Sequence, residues 1–143
     1  MNAPLYVTCC SAAKKPGDGL LPAAWRYDSR RLDAVLNLAV EHAVGFRILS
    51  GRFGLVAAGE PIPDYDHLLV AAEVAAHAGK VAAQLGEIAP RGVVYFTRDA
   101  AADPGAQPYR ACCEEACRLA DVPCRVVELP AGPVDFATLE ELL

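Results

Sequence analysis

The sequence predicts a single α/β domain over residues 1–143, a three-layer sandwich around a mostly parallel sheet of four to five strands. Three observations predict it. Short β-prone runs at residues 5–10, 46–49, 92–97 and 124–129 alternate with helical patterns. Each connection is long enough to hold a crossover helix, which parallel strands require. Apolar residues make up 54% of the 143, enough to bury a core without covalent staples.

Leu5-Tyr6-Val7-Thr8-Cys9-Cys10 reads as the first central strand. It runs into Ser11-Ala12-Ala13-Lys14-Lys15-Pro16-Gly17-Asp18-Gly19, a glycine-rich turn whose free N–H groups suit an anion, with Lys14 or Lys15 adding charge. The glycine spacing matches neither a Walker loop nor a dinucleotide fingerprint. A helix follows with Asp28 or Ser29 as N-cap, and Leu32, Val35, Leu36, Ala39, Val40 and Ala43 share one face up to Gly45. The second strand ends in Ser50-Gly51-Arg52-Phe53-Gly54, where two glycines let the chain turn sharply and present Arg52 outward. A guanidinium there fits a phosphate or carboxylate with its planar fork, or else ties down the loop.

The two prolines in Glu60-Pro61-Ile62-Pro63-Asp64-Tyr65-Asp66-His67 exclude helix and central strand, leaving a stiff loop. A helix over 68–89 puts Leu68, Ala71, Val74, Ala75, Ala78, Val81, Ala82, Leu85 and Ile88 on one face. The third strand ends in Arg98-Asp99, and a loop over 100–108 precedes a helix over 109–121. After the fourth strand, Asp135 caps a short helix carrying Phe136, Leu139 and Leu143.

Composition excludes some functions. A net charge of −5 argues against a broad basic surface for nucleic acid, while Lys14, Lys15, Arg26, Arg30 and Arg31 leave room for a local basic pocket. No apolar run of about 18 residues spans a membrane, and the N-terminus lacks a signal-peptide pattern, so a cytoplasmic location without membrane partners is expected. The six cysteines form no C-x-x-C, and Cys113, Ala116, Cys117 and Ala120 share a helical stripe, so the last four read as core. Neither a metal nor a cofactor is expected.

Ligands of open α/β sheets bind beyond the carboxyl ends of the strands. Those ends carry Cys10-Ser11 with Lys14, then Ser50 and Arg52, then Arg98-Asp99, which suggests one shared anion-tolerant pocket. Polar strand ends of the ordinary kind are the alternative. Within such a pocket Cys10 is a candidate nucleophile, with packing as its competing role. Asp66 or Asp99 is a candidate general base, as N-glycosidic chemistry requires for activating water. Tyr27, Tyr65 and Tyr109 can stack on a base or donate hydroxyl bonds, or be tethered in the core.

Cys10-Ser11-x-x-Lys14, Pro22-Ala23 with Tyr27-x-Ser29, Ile48-Leu49-Ser50-x-Arg52-Phe53-Gly54-Leu55, Pro63-x-Tyr65-Asp66 and Gly105-x-x-x-Tyr109-Arg110 form an ordered series across about residues 5–115. It resembles the motifs of the peroxide-stress YaaA-like family, small bacterial and phage domains of unknown function. It is more distantly similar to the core domain of archaeosine synthase, a tRNA 7-deazaguanine-modifying enzyme. Arg26 stands where the family usually has leucine, and the segment between Lys14 and Tyr27 is glycine-rich here. The resemblance implies a connection to a nucleotide or nucleobase more than a particular reaction; together with the acidic balance it favours a small enzyme acting on a nucleotide, nucleoside or modified nucleobase, with transferase- or glycosidase-like chemistry. The substrate-binding set is then Ser11, Lys14, Tyr27, Ser29, Ser50, Arg52, Tyr65, Arg98 and Tyr109. A small nucleotide-like ligand is the expected partner, with tRNA or DNA as a macromolecular one. The competing readings are a nucleic-acid-binding stress protein without catalysis and a ligand-sensing module.

Overall fold

In the computed structural model, which describes residues 3–143, the first β-prone run becomes the middle of a five-stranded sheet. β1 (Pro4–Cys9) lies between β3 (Gly45–Ser50) and β6 (Gly92–Arg98). β7 (Cys124–Leu129) pairs outside β6, and β4 (Gly54–Val56) forms the other edge. All pairings are parallel except β3 with β4, a tight return that sets Ser50 opposite Gly54. The fold class is therefore the one expected, with five strands.

Alternation along the strands feeds two cores. Tyr6, Ile48, Phe96 and Val127 point into one layer, against α2 (Arg30–Glu41) and α5 (Phe136–Leu142). Leu5, Val7, Leu49, Val93 and Tyr95 point into the other, against α3 (Val74–Ile88) and α4 (Gln107–Ala120). Both expected caps form: Ser29 Oγ accepts the Leu32 N–H at 3.1 Å, and Asp135 Oδ1 accepts that of Thr138 at 2.9 Å. Each satisfies an amide that the first helical turn leaves without a partner.

Three boundaries differ from expectation. β2 (Leu20–Pro22) and β5 (Pro61–Pro63) form a separate antiparallel ribbon beside a single-turn helix, α1 (Ala23–Arg26). A two-stranded edge tolerates proline because one side of each strand needs no N–H. The helix expected from residue 68 begins at Val74, after a 3₁₀ turn at Ala71–Glu73, and Leu68 remains 57% exposed. Upstream, the Leu69 N–H bonds to Tyr109 Oη and the Val70 N–H to Glu73 Oε1, so the chain stays extended through Val70. α2 ends at Glu41 with Ala43 in the left-handed conformation, earlier than Gly45. Val40, assigned to its apolar stripe, lies exposed. Among the described residues no helix is long and apolar enough to cross a membrane.

The edge strand β4 is sealed by one side chain. Gln84 of α3 accepts the Leu55 N–H at 2.7 Å and donates to the carbonyls of Phe53 and Leu55 at 3.3 and 3.2 Å. Gly54 makes room for it, with φ of +75° and an open space where a Cβ would sit 2.3 Å from Gln84 Oε1. Gly54→Ala therefore expels the amide and strains the turn together. It is expected to cost about 2 kcal/mol, read as a lower urea midpoint at unchanged slope.

Candidate functional site

β1 and β6 are neighbours, yet the chain leaves β1 for α2 on one face and β6 for α4 on the other. Diverging connections open a crevice between adjacent strand ends. A cleft of about 550 Å³ occupies it. Its floor is Cys9, Cys10 and Ser11 at the end of β1, and one wall is Ser29, Arg30 and Arg31 at the start of α2. The opposite wall runs from Arg98 through Asp103 to Tyr109, and Asp66–Leu68 and Gly132–Val134 complete the rim. In a chain of net charge −5, the basic side chains here (Lys14, Arg30, Arg31 and Arg98) outnumber the carboxylates of Asp66 and Asp103.

Each cation is held differently. Arg31 donates to Thr8 Oγ1 and to the Cys9 carbonyl at 2.9 Å, anchoring positive charge on the last carbonyls of β1. Arg98 donates to the carbonyls of Pro130 and Gly132 at 3.0 and 3.1 Å, fixing the loop that forms one rim. Lys14 bridges the Tyr27 backbone and carries its ammonium 4.7 Å from the Tyr65 ring centroid, an attraction between cation and ring face. Arg30 is exposed at the first turn of α2, where unpaired N–H groups and the helix dipole also favour an anion. Behind them, Arg26 is fully buried and donates to the carbonyls of Lys15 and Gly19 at 2.6 and 2.9 Å. This guanidinium braces the glycine-rich turn from inside.

A buried chain of hydroxyls supports Lys14. Ser50 Oγ accepts the N–H groups of Arg52 and Phe53 at 3.1 and 3.0 Å. With both lone pairs engaged, it donates its proton to Tyr65 Oη, 2.7 Å away, and Tyr65 bonds in turn to Tyr27 Oη. Burial pushes the Tyr27 hydroxyl up to about 12 and raises that of Tyr65 as well. Both therefore stay neutral and structural near pH 7. Tyr109 faces the cleft, and its Oη accepts the Leu69 N–H at 3.1 Å and the Cys10 thiol at 3.7 Å. Its hydroxyl sits where a Cβ on Gly51 would approach within 2.9 Å, so glycine is required there.

The residues singled out by sequence divide into groups. Cys10, Ser11, Lys14, Ser29, Asp66, Arg98 and Tyr109 line the cleft. Tyr27, Ser50 and Tyr65 form the buried tie beneath Lys14. Arg52 lies outside the cleft, stacked 5.1 Å from the Phe53 ring centroid beside a separate depression that it shares with His77 and Lys80. Asp99 also lies outside the lining, its carboxylate accepting the Ala101 N–H at 3.3 Å. The one pocket expected across three strand ends is thus two, because β3 sits on the far side of β1 from β6. Asp66 and His67 stand between them and border both.

Arg30 and Arg31, a basic patch in the sequence outside the expected binding set, belong to the lining, as does Asp103, which no sequence motif marks. The N-cap at Ser29 was the available signal. In a crossover between parallel strands, the helix that follows a strand begins at that strand's carboxyl end, so the two residues after the cap face the crevice.

Ser50→Ala leaves two amides without a partner and removes one of the two hydroxyl bonds of Tyr65, and a loss of about 2–3 kcal/mol in urea unfolding is expected. The phenol of Tyr27 has a folded value above its ordinary 10, so the folded state holds the proton more tightly. Its contribution to stability is complete below pH 10 and is lost as pH rises to about 12. Tyr27→Phe should flatten that alkaline decline, measured as urea midpoint against pH. No protein-family model matches this chain, and neither a curated protein nor a solved structure does, so the geometry of the cleft carries the functional argument.

Proposed function

We propose that this chain is a small enzyme acting on a nucleotide, nucleoside or modified nucleobase bound in the cleft between the ends of β1 and β6. One observation carries the reading: the first turn of α2, Lys14, Arg30 and the anchored Arg31 converge on a crevice at a topological switch point, within an acidic chain. The volume suits a small organic ligand, and the lining is mixed, combining the basic groups with Ala106, Tyr109, Leu68 and Val134. The anionic part of the ligand sits against Lys14, Arg30 and Ser11, and the flat apolar part lies toward Tyr109. Asp66 and Asp103 are the carboxylates within the lining that can act as general base in N-glycosidic or base-modification chemistry, and Cys10 is its thiol nucleophile candidate. The motif series similar to the YaaA-like family supports the same ligand class.

A second reading, nucleic-acid binding without catalysis, draws support from Trp25. It is 65% exposed, with Lys15 Nζ 5.8 Å from its ring centroid, a combination suited to stacking an unpaired base.

Calorimetric titration with nucleoside monophosphates, the matching nucleosides, 7-deazaguanine bases and a short RNA tests the choice. Saturable binding of a nucleotide is expected, weakened about tenfold or more in Lys14→Ala and in Arg30→Ala, and little changed in Arg52→Ala. Product analysis then follows release of free base, with Asp66→Asn and Asp103→Asn as the diagnostic variants. Binding that ignores both cation substitutions overturns the cleft assignment. Binding of RNA alone, with a steep salt dependence, transfers the argument to the second reading.

A further inference from the structure

The α3/α4 layer, away from the cleft, contains a convergence of thiols that core packing alone does not require. Cys113 and Cys117 lie one turn apart on the same face of α4. The chain then turns at Asp121, which takes a left-handed conformation, and returns Cys124 as the first residue of β7. The three Sγ atoms all fall within 4.8 Å of one another. Cys113 and Cys117 are buried, whereas Cys124 is half-buried and borders a surface depression of about 360 Å³ with Arg91, Pro123 and Arg125.

We propose that Cys113, Cys117 and Cys124 form a three-sulfur site for a soft, thiophilic metal ion, reached through the depression beside Cys124. Thiolates are the ligands that select Zn(II) and Cu(I) over hard cations. A tetrahedral ion with metal–sulfur bonds of about 2.3 Å holds its sulfurs about 3.8 Å apart, so the observed cluster closes on an ion by small side-chain rotations. The helix supplies two ligands at fixed spacing, and the strand supplies the third across the α4–β7 turn. The Val122 N–H pins that turn to the Cys117 carbonyl at 2.9 Å. On binding, metal–sulfur bonds replace S–H bonds, and the displaced protons pass to solvent with no change of oxidation state. Zn(II) would complete its coordination with a water on the open side, and Cu(I) would need no fourth ligand. The site shares no residue with the proposed cleft, so the two assignments stand or fall separately.

Reduced full-length protein, titrated anaerobically with Cd(II), gives the direct test through the thiolate-to-metal charge-transfer band. One ion per chain is expected, with the band unchanged in Cys112→Ala, weakened in Cys124→Ser and abolished in the variant combining Cys113→Ser with Cys117→Ser. Competition with Zn(II) and with Cu(I) then identifies the native class by which ion displaces Cd(II). Absence of a band, a band indifferent to Cys124→Ser, or displacement by neither ion overturns the assignment. Should the variants fail to fold, alkylation of the wild type mapped by mass spectrometry decides the matter. Metal protection of Cys124 but not of Cys10 supports the site, and equal labelling of both overturns it.

Discussion

The hydroxyl of Ser50 is the interaction on which the rest of the site depends. It stands at the end of β3, fully buried, where the chain must turn within four residues to begin β4. Two amides of that turn have no strand partner, and both are satisfied by Ser50 Oγ. Its own proton then ties in Tyr65, and through it Tyr27, so one atom couples the end of β3 to two segments distant in sequence. A buried polar group left without a partner costs about 1–3 kcal/mol, which makes this chain of bonds hard to break piecemeal. Lys14 rests on the rings that the chain orients. The position of Lys14 is therefore coupled, through the aromatic pair, to a hydrogen-bond requirement at the end of β3.

Arginine serves three purposes around the same site. Arg26 is interior and satisfies carbonyls of the glycine-rich turn, a use that its planar, permanently charged fork permits and a lysine would perform poorly. Arg31 and Arg98 face the cleft with much of their donor capacity already spent on the backbone, so they contribute field more than contact. Lys14 and Arg30 are the cations of the lining whose side chains, among the described residues, make no such backbone bond. This division explains how an acidic protein keeps a locally basic crevice without a basic surface: the charge is concentrated where low-dielectric walls make it count.

The strand ends and helix starts were legible in the sequence because they are set by neighbours in the chain. Short β-prone runs between helical patterns marked the four parallel strands, and the capping oxygens of Ser29 and Asp135 marked the two helix starts that they occupy. Gly51 and Gly54 marked the turn after β3. Boundaries slipped where a distant group intervened, as at residues 68–73, where Tyr109 and Glu73 hold the backbone extended.

By itself, then, the sequence determined the α/β class, the mostly parallel sheet and a set of polar strand ends with Cys10, Ser11, Lys14 and Arg98 among them. Only the tertiary structure decided which of those ends meet. Strand order, with β1 between β3 and β6, joined Lys14 to Arg98 and Tyr109 and left Arg52 at a different depression. The same packing drew Cys113, Cys117 and Cys124 together across a helix and a strand. The physical reason is common to both. Local propensity acts through residues a few positions apart, whereas strand order and the docking of α4 on the sheet are settled by burial of apolar faces over the whole chain.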